Sequence, residues 1–182
     1  MIFALGRLGE SEALPWFLPG VAIWVAVGLA AGGRVGRALG VRRAVALALI
    51  VSLGIILSAT LTPLRGALDF GAVGSGSCDF SRVGFAPLRD LLRLSDTSLN
   101  VLMFVPLGVT IALLPRSRLK VVVLVAAIAL PFAIETTQLL VLWLDRACES
   151  ADVVDNLTGL AIGLGGGVVA RRLAAEADSG HP

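Results

Sequence analysis

The sequence predicts an all-α membrane protein, a bundle of five transmembrane helices with its N-terminus outside and its C-terminus in the cytoplasm. Three observations carry that expectation. Of the 182 residues, 57% are hydrophobic and only 15% are charged, and the mean hydropathy is +0.91; a soluble domain has about a quarter of its residues charged. Five apolar stretches each approach the ~20 residues needed to cross a bilayer core. Basic residues alternate regularly between the connections. The size fits a single membrane domain over residues 1–182.

The spans run Leu14 to Gly33, Ala44 to Leu61, Leu99 to Leu114, Val121 to Leu144 and Val153 to Ala170. Backbone polar groups in lipid must be satisfied within the chain, so each span is expected to be a helix. The first is read as a retained helix and not a signal peptide. Glu10 and Glu12 precede it where a basic region would stand, and it is long for such a leader. One set of connections carries Arg34, Arg37, Arg42 and Arg43, then Arg116, Arg118 and Lys120, then Arg171 and Arg172. The opposite set holds Asp69, Asp79, Asp90, Asp96, Asp145, Glu149 and Asp152, with arginines interspersed. The positive-inside rule puts the first set in the cytoplasm at all five spans. The expected location is the plasma membrane.

Residues 62–98 form a long exported loop. Gly71 to Ser77 is a run of turn-forming residues. In Phe85 to Leu94, Leu88, Leu91 and Leu92 share one helical face, which fits either a short helix in the membrane interface or a solvated helical turn. Gly28, Gly32 and Gly36, and again Gly159, Gly163 and Gly167, recur at every fourth position. Small residues at this spacing let helix backbones approach closely, within the chain or between copies in a homo-oligomer.

Several chemistries have no support. The sole histidine, His181, stands in the polar tail, away from any serine nucleophile in the apolar body. With Cys78 and Cys148 it cannot make a four-ligand zinc site, and no cofactor or metal is expected. No phosphate-binding loop occurs, and the arginines sit in short clusters between apolar spans, unlike a nucleic-acid interface. Cys78 and Cys148 both fall in exported loops, where an oxidising environment permits a disulfide.

Charge inside a span is expensive, roughly 2.5–3.5 kcal/mol at a helix centre on insertion scales. Glu135 therefore stands out in the fourth span. Ten residues from the expected exported end, it would lie ~15 Å below the outer boundary. Gln138 shares its face and Asp145 continues it, while Pro131 should kink the helix. Asn100 opens the third span. Arg146, Asp152, Asp155 and Asn156 gather at the outer ends of the fourth and fifth. Together they predict an outward-facing polar pocket floored by Glu135 and rimmed by an arginine and carboxylates. A buried polar network that fixes helix register is the structural alternative.

The stretches Asn100-Val-Leu-Met-Phe-Val-Pro-Leu-Gly108, Ile134-Glu-Thr-Thr-Gln138, Arg146 and Asp152-Val-Val-Asp-Asn-Leu-Thr-Gly159 resemble the VanZ-like family in order and spacing. The resemblance covers about half of the chain, with a VanZ-like core near residues 85–170. Phe85-Ala-Pro87 departs from the family's Asn-x-x-Pro-Phe segment. The family takes its name from a membrane protein linked to teicoplanin resistance. The resemblance implies Asn100, Glu135, Gln138, Arg146, Asp152, Asp155 and Asn156 as site residues. Three functions are compatible with them. One is binding of a membrane lipid or lipid-linked amphiphile, with Arg146 holding an anionic group. Another is a membrane enzyme on a lipid-linked substrate, with Glu135 and Asp155 as acid–base groups. The third is a small transporter, which the absence of an inverted repeat disfavours.

Overall fold

The computed structural model describes residues 14–93 and 95–179; Glu10, Glu12, Leu94 and His181 lie outside them. Seven α-helices occur among the described residues: α1 (Phe17–Leu39), α2 (Arg43–Thr60), α3 (Arg65–Phe70), α4 (Leu88–Leu91), α5 (Asp96–Leu113), α6 (Arg118–Leu140) and α7 (Ser150–Ser179). Five of them, α1, α2, α5, α6 and α7, are long and apolar enough to cross a membrane. Two short strands, β1 (Cys78–Asp79) and β2 (Cys148–Glu149), pair in parallel, Cys78 with Cys148 and Asp79 with Glu149.

The helices begin and end where local chemistry permits. α1 stops at Gly40, whose φ of 67° is the left-handed conformation that a glycine adopts without a Cβ penalty. Val41 N–H then donates to the Gly36 carbonyl at 2.9 Å, turning the chain tightly into α2. Ser95 caps α5 in a reciprocal box with Ser98, and Ser117 caps α6 by accepting from Lys120 N–H at 3.1 Å. At the opposite end of α5, Lys120 Nζ and Arg171 Nη1 both donate to the Ala112 carbonyl, at 3.0 and 3.1 Å. Two cations thus satisfy carbonyls that the helix itself leaves open and complement its negative end.

α5 is the central helix. It packs along α7 and also touches α2 and α6, while α1 packs chiefly on α2. The core joins Ile56 of α2, Phe104, Leu107 and Ile111 of α5, Ala127 and Ile134 of α6, and Leu160 of α7. Both glycine stripes are filled inside the chain. A Cβ at Gly159 or Gly163 would fall on the carbonyl oxygen of Val101 or Val105 of α5. Gly28, Gly32 and Gly36 are buried against α2, where Leu47 and Arg43 are their neighbours.

Helix boundaries depart from the sequence expectation in two places. α6 ends at Leu140, not Leu144: Val141 leaves helical geometry, a 3-10 turn spans Leu142–Leu144, and Asp145 adopts φ 55°. The loop that follows α2 is bonded to this segment: Leu64 N–H donates to the Leu144 carbonyl at 3.1 Å and Gly74 N–H to the Leu142 carbonyl at 2.8 Å. Glu135 is therefore five residues from its helix end, about 8 Å below it, and not at mid-span. Asp145 does not continue the Glu135 face; its carboxylate lies beside Gly66, which it would meet at 2.6 Å from an added Cβ. In the segment beginning at Phe85, the expected short helix is one turn, with Leu88 and Leu92 exposed. The additional helix α3 has no counterpart in the sequence expectation.

Candidate functional site

The loop after α3 lies as a strap across the Leu140 end of α6 and the Ser150 end of α7. It is held at several points. Cys78 and Cys148 form a disulfide, with Cα atoms 4.5 Å apart. Ser150 Oγ, at the start of α7, donates to the Arg82 carbonyl at 2.8 Å. Arg82 itself turns inward: Nη1 donates to Asp155 Oδ1 at 3.0 Å and Nη2 to Oδ2, a bidentate pair. The Asp155 side chain is 2% exposed, against 29% for Arg82. A planar guanidinium matches both carboxylate oxygens at once, and this hydrogen bonding holds the Arg82 pKa above its ordinary value.

The other expected site residues are placed as follows. Arg146 is 3% exposed and donates from Nε and Nη2 to the Thr62 carbonyl, at 3.2 and 3.0 Å. Burial pulls its pKa down to about 10, still cationic at neutral pH. It clamps the chain just beyond α2 and is not an open rim group. Gln138 Nε2 likewise donates to the Thr60 carbonyl, at 3.0 Å. Asp155 and Asn156 are each 1% exposed, and Asn100 and Asp152 are half-buried. Asp155 is thus engaged by Arg82. Thr136 and Thr137 spend their hydroxyls on the carbonyls of Phe132 and Ala133, within α6.

Glu135 is buried like this group but also faces a groove. It is 6% exposed, and its Oε2 accepts from Glu149 N–H at 2.7 Å. It also lines a groove of about 440 Å³ between α6, α7 and the strap, whose lining includes none of the other six expected residues. Phe80 and Val83 of the strap, Phe132 and Leu139 of α6, and Val153 and Leu157 of α7 make the walls apolar. Phe80, Val83 and Phe132 are 70, 71 and 53% exposed, so the groove opens on the outer flank of the bundle. A slot of this size, apolar with a few convergent polar groups, is the usual form of a small-molecule site.

The strap's contribution was not legible in the sequence. Arg82 was one arginine among several in a long loop, and it meets Asp155 across 73 residues. The backbone N–H of Glu149 carries no side-chain signature at all. A cation near a cysteine, in a loop facing a carboxylate-rich helix start, was the one available cue.

A search of curated proteins and of solved structures found no match to the chain. The family model of VanZ/LLP1 matches residues 58–171. That segment contains the strap, α5, α6, nearly all of the spanning part of α7 and every residue of the site, whereas α1 and most of α2 precede it. The match covers more than half of the chain, and the protein belongs to the VanZ/LLP1 family.

Proposed function

We propose that this VanZ/LLP1-family membrane protein binds an amphiphile from the outer leaflet of the plasma membrane in the groove between α6 and α7. The observation that carries the proposal is the placement of Glu135, a carboxyl-bearing side chain in the wall of a mainly apolar slot whose other polar lining residues are Thr136, Glu149 and Ser150. An intramembrane ionisable residue is costly and marks function by default, and the slot offers it a ligand with one polar and one apolar end. The orientation read from the arginines puts the groove at the outer face. The disulfide between β1 and β2 supports the same side, since disulfides persist outside the reducing cytoplasm.

The proposal extends to glycopeptides that carry a lipid tail. Wild type, Glu135→Gln and Val153→Trp are to be expressed at matched membrane levels in a sensitive Gram-positive host. Wild type is expected to raise the inhibitory concentration of teicoplanin but not of vancomycin, which lacks the tail, and both variants are expected to lose the effect. Protection that is equal for the two drugs would remove the lipid tail from the account. Absence of any protection by correctly inserted wild type would remove resistance.

A further inference from the structure

We infer that the strap and α4 are seated in the interface of the membrane that the five helices cross, with Phe80, Val83, Phe85, Leu88 and Leu92 turned into lipid and not into water. Between residues 80 and 92, these five large apolar side chains are each 69% exposed or more. Single exposed apolar residues are ordinary, but a cluster of them marks a surface that something else covers. Depth and composition identify that covering as lipid.

α6 has 23 residues, about 35 Å of helix against a hydrocarbon core of ~30 Å, so its Leu140 end reaches the interface. The strap is bonded at that level and not above it. Ser150 Oγ, on the first residue of α7, donates to the Arg82 carbonyl at 2.8 Å. Asp79 pairs with Glu149, whose N–H reaches the Glu135 carboxyl group at 2.7 Å. Phe80 and Val83 line one groove with Phe132, which lies about 12 Å inside the Leu140 end of α6. Phe132 is 53% exposed on a spanning helix, where lipid is its solvent. The apolar surface of the strap is thus continuous with the lipid-facing flank of α6.

Aromatic and basic residues mark the same boundary. Trp143, in the turn after α6, and Trp16, at the start of α1, are 62 and 51% exposed. Both stand at the strap end of the bundle: a Cβ at Gly20 of α1 would meet Ser58 of α2, and Gln138 of α6 donates to the Thr60 carbonyl where α2 ends. Tryptophan gathers at membrane interfaces because its ring is apolar and its N–H is polar. Arg89 and Arg93, both exposed, flank the same apolar turn. Arginine stems cover apolar surface while the guanidinium stays with water and phosphate, as in interfacial segments generally. The placement stands whether or not the groove takes a ligand.

The test uses the full chain in phosphatidylcholine vesicles with a single nitroxide attached at Phe80→Cys or Phe85→Cys. The native cysteines are joined to each other and take no label. Val125→Cys, at a position 59% exposed well inside α6, is the lipid reference, and the free nitroxide is the water reference. At both strap positions the ratio of collisions with oxygen to collisions with a water-soluble nickel chelate is expected to be about threefold or more above that of the free nitroxide, and below that of Val125→Cys. That is the ordering an interfacial depth requires. Water-like ratios at either position would overturn the inference. Exclusion of both oxygen and nickel would place protein over this face, a second copy of the chain, and would overturn it equally. Leu92→Cys, beyond α4 and away from the disulfide, replaces Phe80→Cys if a thiol there exchanges with Cys78; the same ratio supports the inference and a water-like one overturns it.

Discussion

Asp155 and Arg82 show how a polar residue can be decisive for the fold without being available to a ligand. Asp155 is nearly sealed from solvent, so removing Arg82 leaves a buried carboxylate without its partner. Arg82→Ala is expected to destabilise the protein by about 3 kcal/mol, the lower end for a broken buried pair because Arg82 retains some exposure. Arg82→Ala with Asp155→Asn should recover much of the loss, since no unpaired charge then remains. Thermal unfolding of the four members of this cycle in detergent checks the coupling, and additive effects would refute it. Arg146→Lys is expected to cost about 1–3 kcal/mol, because an ammonium cannot reproduce the two-nitrogen contact with the Thr62 carbonyl. The same unfolding measurement reads it. At this scale the sequence revealed that Glu135, Gln138, Arg146 and Asp155 are polar groups in costly positions. It did not reveal their partners. All four bond to backbone atoms or to a distant loop, and neither kind of partner leaves a periodic trace.

Between helices, packing is decided by which side chains are missing. α5 and α7 approach so closely at Gly159 and Gly163 that any side chain would displace a backbone carbonyl of α5, whereas nothing lies within 4 Å of a Cβ at Gly165. Gly163→Leu is therefore expected to abolish a monodisperse, folded species on size exclusion. Gly165→Ala on the same helix should be tolerated and gain up to ~1 kcal/mol in helix propensity. Equal behaviour of the two would mean that α7 does not present the Gly159–Gly163 face to α5. The glycine spacing was legible because close approach in a membrane requires small residues at helical intervals. The five spans were legible for a related reason: lipid imposes a long apolar run on every crossing. The end of α6 was not. Apolarity continues through Leu142, Trp143 and Leu144, where the long loop after α2 bonds to the carbonyls of Leu142 and Leu144 and the helix gives way to a 3-10 turn.

For the whole molecule, the strap ties the long loop after α2 to the helices that form the groove. Its disulfide closes a separation of 70 residues, and its Phe80 and Val83 form one groove wall. The site is consequently a product of topology: α6 and α7 supply two walls, and the loop that precedes α5 supplies the third. This arrangement can engage an outer-leaflet ligand only if the strap faces out. Lys120 and Arg171 converge on the Leu113 end of α5, the end that the positive-inside rule would assign to the cytoplasm. Arg89 and Ala175 report the two sides, since the Arg89 side chain is 78% exposed on the strap side and Ala175 is exposed near the far end of α7. In intact cells a membrane-impermeant maleimide is expected to label Arg89→Cys at once, and Ala175→Cys only after permeabilisation. The native cysteines are joined to each other and give no background. The reverse pattern would put the disulfide and the groove in the cytoplasm and end the case for an outer-leaflet ligand. The groove would then have to be read against inner-leaflet lipids, with Glu135 still its polar point.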